Sequence, residues 1–337
     1  MKFSFSLVPS FPMTSYGDIV VEAEAWGYDL AWTPDQGFMQ DPFVAVSYLM
    51  TRTRFMSLGV GITNPYQRHP IQIARAAVTL ADLRPGGFIL GLGAGEKRRI
   101  RDRVGAPQGK FIETITDTMA VLGDLFDGKR VSVANSVFEL DDVALEIDRP
   151  PTVPIYLATT HPDAFRAAGA HADGVIVGDV ADPDVMTRIL GWIGEGAHAK
   201  GRDAGDISVV AWCPTIVTED RNTAIGDLRR PVIGSAINGM HKQTRELMGV
   251  EPAHFPIIRA AKFDPAAVLP PDAIPDDMVD RFAIVGPPDY CAARINALRA
   301  VGVDTMGFRM PVALTGIYDF ETNLRRLMDE VVPQVGG

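Results

Sequence analysis

The chain has 337 residues, 47% of them hydrophobic, and a formal net charge of −10. That apolar share supports a large core, while the acidic excess argues against nucleic acid or an anionic membrane surface as a partner. No apolar run is long enough to span a bilayer and no charged-then-apolar leader opens the chain, so a soluble, cytoplasmic protein is expected, with Cys213 and Cys291 as reduced core residues.

In chain order, Lys2–Val8 reads as a first strand. Thr14 or Ser15 is a candidate cap for a helix that ends at Trp26 before Gly27. Tyr28–Trp32 is a second strand, and Asp41-Pro42 opens a helix to about Thr51. Leu58–Val60 is a short buried strand, which Gly61, Asn64 and Pro65 are expected to break. Ile71–Leu83 carries apolar residues at helical spacing and stops at Arg84-Pro85-Gly86-Gly87. Phe88–Leu90 is the next strand and runs into Gly91-Leu92-Gly93-Ala94-Gly95. A helix follows from about Phe111 to Phe126, then a small hairpin with strands Val131–Val133 and Val137–Leu140. Ile155–Ala158, Gly174–Val177 and Ile207–Cys213 are strands separated by helices at His161–His171 and Pro183–Lys200. Asp220 to about Met248 reads as mostly helical, and Glu251–Pro275, rich in Pro and Ala, as an inserted loop. Pro288–Val301 is a helix, Thr305–Met310 the eighth strand and Phe320–Val331 the final helix.

Eight strands alternating with helices, without a midway change in composition, predict one (β/α)8 TIM barrel across residues 1–337. Two insertions are expected, the hairpin near 130–140 and a loop and helical region near 220–280. The alternative is a doubly wound sheet, but its G-x-G-x-x-G signature fails because Glu96 stands where the third glycine belongs.

In a barrel the chemistry collects at the carboxyl ends of the strands. Asp35 there reads equally as a turn residue or a site carboxylate. Glu96 follows three glycines; it either caps the next helix or sits in an apolar mouth, and the room a glycine loop leaves for a ligand favours the mouth. Thr159-Thr160-His161-Pro162 opens a helix and suits a phosphate, or is a plain N-cap. The six histidines show no metal-ligand spacing, so no metal is expected, and no G-x-S-x-G is present. Lys97, Arg98, Arg99, Arg101 and Arg103 form a basic run in an acidic chain; it is either an exposed helix face or a holder for an anionic tail or substrate.

Several stretches carry a resemblance to a known family. Gly-Val-Gly-Ile-TNPYQRHP followed by GLGAGE, with GYDLAWTPDQ, DGVIVGD and FAIVGPPDYCAARINALRAVGVD, resembles the bacterial-luciferase-like superfamily. The nearest likeness is to the deazaflavin-dependent group typified by methylenetetrahydromethanopterin reductase. The resemblance implies an oxidoreductase moving a hydride between coenzyme F-420 and a small organic substrate, and a homodimer. FMN in a luciferase-like monooxygenase, a methylene-tetrahydropterin or folate reductase, and a barrel that has lost its cofactor are the alternatives. It implies a cis peptide at Gly61–Ile62 forming a bulge behind the cofactor ring. Asp35, Gly61, Ile62, Thr63, Asn64, Gly93, Thr159, Thr160 and Gly178 match cofactor-contacting positions. Ser6 and Gln36 stand where that group has a glutamate and a histidine, which leaves Glu96 as the expected proton-handling group.

Overall fold

Eight parallel strands close into a ring in the computed structural model, which describes residues 1–95, 101–107, 109–229, 233–263, 269–310, 314 and 316–336. The chain runs β1 (Lys2–Ser6), α1 (Met13–Trp26), β2 (Leu30–Thr33), α2 (Pro42–Arg52), β3 (Ser57–Thr63), α3 (Pro70–Leu83), β4 (Phe88–Leu92) and α4 (Phe111–Phe126). The hairpin of β5 (Val131–Ala134) and β6 (Glu139–Val143) then interrupts the alternation. It resumes with β7 (Ile155–Thr159), α5 (Pro162–His171), β8 (Gly174–Gly178), α6 (Pro183–Ala199) and β9 (Ser208–Val217). An excursion follows, with helices α7 (Arg221–Leu228), α8 (Gly234–Gly239), α9 (Lys242–Leu247), α10 (Phe255–Phe263) and α11 (Asp276–Phe282). Short β10 (Ile284–Gly286), α12 (Pro288–Ala300), β11 (Thr305–Arg309) and α13 (Phe320–Arg326) complete the described elements.

The ring is β1-β2-β3-β4-β7-β8-β9-β11, closed by the β11–β1 pairing. The fold is therefore a (β/α)8 barrel, and the eight strands expected from the sequence are its staves. The doubly wound alternative is excluded because such a sheet has two free edges.

Five expectations need correction. α1 begins at Met13 after Pro12, with no side-chain cap, so neither Thr14 nor Ser15 serves as one. β3 is not broken at Gly61: it continues through a cis Gly61–Ile62 bond to Thr63, which pairs with Leu92 after a register shift. The second hairpin strand begins at Glu139 rather than Val137, because the Asn135 carboxamide binds the Val137 and Phe138 N–H groups and makes them part of the turn. β9 runs four residues past Cys213, since β10 pairs with its far end. The region read as an inserted loop contains α10, an apolar helix packed beside α8.

Strand parity sorts the core into two layers. Phe5, Leu58, Val60, Leu90, Leu157, Val175 and Phe308 point outward and pack under the helices. Leu30, Trp32, Ile176 and Val210 point inward, joined by Ile62, Ile89, Tyr156, Ala158 and Trp212. The Trp32 ring lies 6.0 Å from Tyr156 and 6.1 Å from Trp212, so three large aromatics pack inside the barrel. Neighbouring strands must then be bare: a Cβ at Gly59 would come within 2.5 Å of Trp32, and one at Gly174 within 2.6 Å of Tyr156.

Asp182 ties the barrel to the excursion. One carboxylate oxygen caps α6 by accepting the Asp184 and Val185 N–H groups at 2.9 and 3.1 Å, and the other accepts Arg281 Nε from α11 at 2.6 Å. Burial would raise this carboxyl, but the N–H groups and the guanidinium outweigh it and hold it below the usual carboxylate range. A lowered carboxyl contributes stability above the unfolded value of about 3.9 and loses it as pH falls through the folded value. Asp182→Ala is expected to lower the thermal midpoint at pH 7 by several degrees, the loss of a cap and an ion pair of about 1–3 kcal/mol. Melts of parent and variant should converge as pH drops below about 4.

Candidate active site

The carboxyl ends of the strands form a mouth with a bare floor. The Gly61–Ile62 bulge brings Ile62 into the interior layer. Gly93 lies against it: its N–H donates to the Thr63 carbonyl at 3.0 Å, and a Cβ there would meet Ile62 at 2.9 Å. Across the mouth, nothing lies within 4 Å of where a Gly178 Cβ would be. Two strand ends, at Gly93 and Gly178, thus offer bare backbone beside the Ile62 side chain.

One side of this floor is built around Asp35. Its carboxylate accepts Thr63 Oγ1 at 2.9 Å and the Gly37 N–H at 3.2 Å, and its own N–H donates to the Ile62 carbonyl at 3.4 Å. Arg68 lies 3.9 Å from Asp35 and donates to Asp41 at 2.6 Å, with its guanidinium 4.9 Å from the Phe43 ring centre. Burial would raise the Asp41 carboxyl, but Arg68 and the Val44 and Phe43 N–H groups hold it below its ordinary value. Thr63 is fully buried, and its hydroxyl connects the bulge to the β2–α2 loop. Asn64 exchanges hydrogen bonds with Gln67 at 3.0 and 3.1 Å and lies directly beneath Gly95. Asp35, Gly61, Ile62, Thr63, Asn64 and Gly93 therefore form one contiguous group.

Thr159 and Thr160 stand at the next strand end. Thr159 Oγ1 accepts the His161 N–H at 3.0 Å, and His161 caps α5 through Nδ1. Thr160 is engaged from above: its hydroxyl oxygen accepts the His241 N–H at 3.0 Å, and its carbonyl accepts Thr244 Oγ1 at 2.6 Å. The His161 and His241 rings sit 4.0 Å apart. Burial, then His161, lowers the His241 imidazole below its ordinary value. Thr160 thus tethers the start of α9 to the end of β7.

Glu96 lies outside the described residues, as do Lys97, Arg98 and Arg99. Of the basic run, Arg103 sits in a short turn with its guanidinium 5.2 Å from the centre of the Phe38 ring, linking two rim loops. Sequence reasoning passed over Arg68 within the TNPYQRHP motif; its neighbour Asp41 was visible only as a helix cap. It also passed over the Arg309–Asp179 ion pair, formed by residues far apart in the chain.

A closed ring of eight parallel strands with glycines at its carboxyl ends defines the class: a (β/α)8 barrel protein. The chain belongs to the luciferase-like monooxygenase family, whose family model matches residues 4–305. The 5,10-methylenetetrahydromethanopterin reductase of Methanolobus tindarius is 28% identical over 314 residues, 93% of this chain and 95% of that protein. The F-420-dependent glucose-6-phosphate dehydrogenase of Microbacterium testaceum is 26% identical, over 94% of this chain and 92% of its own. Among solved structures, the coenzyme F-420-dependent tetrahydromethanopterin reductase of Methanopyrus kandleri shares the fold with a TM-score of 0.82, at 24% identity and 98% coverage of both chains.

The Thr63–Asp35 bond is testable without any ligand. Thr63→Val keeps the side-chain shape and removes a buried donor to a carboxylate. Urea unfolding should show a loss of about 1.5–3 kcal/mol with an unchanged slope.

Proposed function

We propose that this protein is an oxidoreductase that binds coenzyme F-420 across the mouth of the barrel and moves a hydride between it and a small organic substrate. The observation that carries this reading is the bulge at Gly61–Ile62, with the Ile62 side chain facing Gly93, in a chain similar over nearly its whole length to reductases and dehydrogenases of that cofactor class. The residues present fit such a group. Gly93 and Gly178 leave the planar approach open, and Ile62 is positioned to back the ring. Asp35, Thr63 and Asn64 border one edge, and Thr159 and Thr160 stand at the helix opening suited to a phosphodiester. When bound, the deazaflavin supplies the hydride donor or acceptor.

The protein's part is orientation and proton handling. Asp35 is held by Thr63, Gly37 and Arg68, and Asp179 by Arg309, so both carboxylates are engaged. Ser6 and Gln36 are neutral at the working pH. That leaves Glu96, after the glycine loop, as the group assigned to give or take the substrate proton. The family likeness also motivates a homodimer and a cytoplasmic location.

Titration with coenzyme F-420 and with FMN, followed by fluorescence and oxygen uptake, tests the reading. Tight deazaflavin binding without oxygen consumption is expected. Preferential FMN binding would support a monooxygenase instead, and binding of neither would remove the assignment. Glu96→Gln should fold, bind the cofactor and lose at least about a hundredfold in turnover by stopped-flow hydride transfer. A rate within a few-fold of the parent would reassign the proton to water or to the substrate.

A further inference from the structure

The half of the mouth away from Asp35 is built by β8, β9, β11 and β1. Parity places Arg309 on the inner face of β11, because Met306 and Phe308 point outward into the mantle. It aligns with Ser6 on one side and Pro214 on the other. Asp179 follows β8 directly. Its backbone is left-handed, with φ 57°, a conformation that few residues besides Gly, Asn and Asp adopt readily, and its N–H donates to the Trp212 carbonyl at 3.0 Å. That turn carries the Asp179 carboxylate across the end of β9 onto the Arg309 guanidinium. Both side chains are only partly exposed, Arg309 to 31% and Asp179 to 25%, so the pair borders the mouth without being freely solvated. Trp212 lies between them, aligned with Gly178 and Gly307, and its indole N–H is buried without a hydrogen-bond partner among the described residues.

The charge arithmetic of this half is simple. A lone inward arginine at a barrel mouth would be a receptor for a carboxylate or phosphate, through paired N–H bonds. Here a carboxylate from the protein's own backbone turn already occupies it. An incoming anion would have to displace a covalently tethered competitor and leave Asp179 unpaired in a partly desolvated place. Ser6 adds a neutral, nearly buried side chain beside Arg309. What remains on offer is a donor next to an acceptor.

We propose that Asp179 is a specificity-determining residue. By occupying Arg309 it closes an anion subsite and selects an uncharged polar substrate, whose carbonyl, amide or hydroxyl edge meets the ion pair. This deepens the proposed function, because it treats the same mouth as the substrate site.

Inorganic phosphate is the probe, used on the full-length protein without cofactor at matched ionic strength, with binding read by calorimetry and by thermal shift. Asp179→Asn keeps a residue that tolerates the left-handed backbone and removes the competing charge. Its phosphate affinity should rise at least about tenfold over the parent. The gain should vanish in the double variant with Arg309→Met. Phosphate binding by the parent that survives Arg309→Met lies elsewhere and serves as the baseline. No gain in Asp179→Asn, or a parent that already binds phosphate through Arg309, overturns the proposal. Asp179→Gly is the second variant; if both single variants fail to fold, the pair is a structural tie and the proposal falls. Failure of the cofactor reading would appear separately, as absence of F-420 binding by the parent, and would leave the phosphate comparison intact.

Discussion

The interior of the barrel depends on the packing of Trp32, Tyr156 and Trp212. Rings of this size, with centroids about 6 Å apart, leave no room for side chains on the facing strands. Gly59 and Gly61 yield to Trp32, Gly174 to Tyr156, and Gly307 to Trp212. These glycines let the interior reach the density of a well-packed core. At the mouth a second set, Gly93 and Gly178, leaves room beside the Ile62 side chain.

The alternation of eight strands was legible because each is a short apolar run bounded by Gly, Pro or Asp, and period and punctuation suffice for that. The cis Gly61–Ile62 bond was legible only through the family likeness; local chemistry alone read Gly61 as a stop, whereas β3 bends there and resumes pairing at Thr63. The second hairpin strand was misplaced because a side chain, Asn135, competes for backbone N–H groups that propensity assigns to a sheet. Of the candidate site, the Asp35–Asn64 group was readable as motif. The Arg309–Asp179 pair joins two residues 130 positions apart and left no local trace.

Several arginines of this acidic chain are committed to backbone. Arg84 donates to the carbonyls of Met50, Thr53 and Met56, Arg202 to those of Gly169 and Ala172, and Arg294 to those of Ala181 and Asp280. Each satisfies carbonyls at a helix end or loop that would otherwise face inward without a donor. These three arginines thus act as internal joinery around the barrel.

The overhang of β9 has a consequence for how this protein can change over evolution. Thr215–Val217 extend beyond the ring and pair with Ile284–Gly286, so the chain leaves the barrel and returns to it at adjacent, hydrogen-bonded positions. Whatever lies between those two strands is presented on a fixed frame. Lengthening or shortening such a segment changes its closure entropy only slowly. The excursion is consequently a replaceable cassette: its helices can be exchanged to recontour the roof of the mouth while the staves, the aromatic filling and the floor stay as they are.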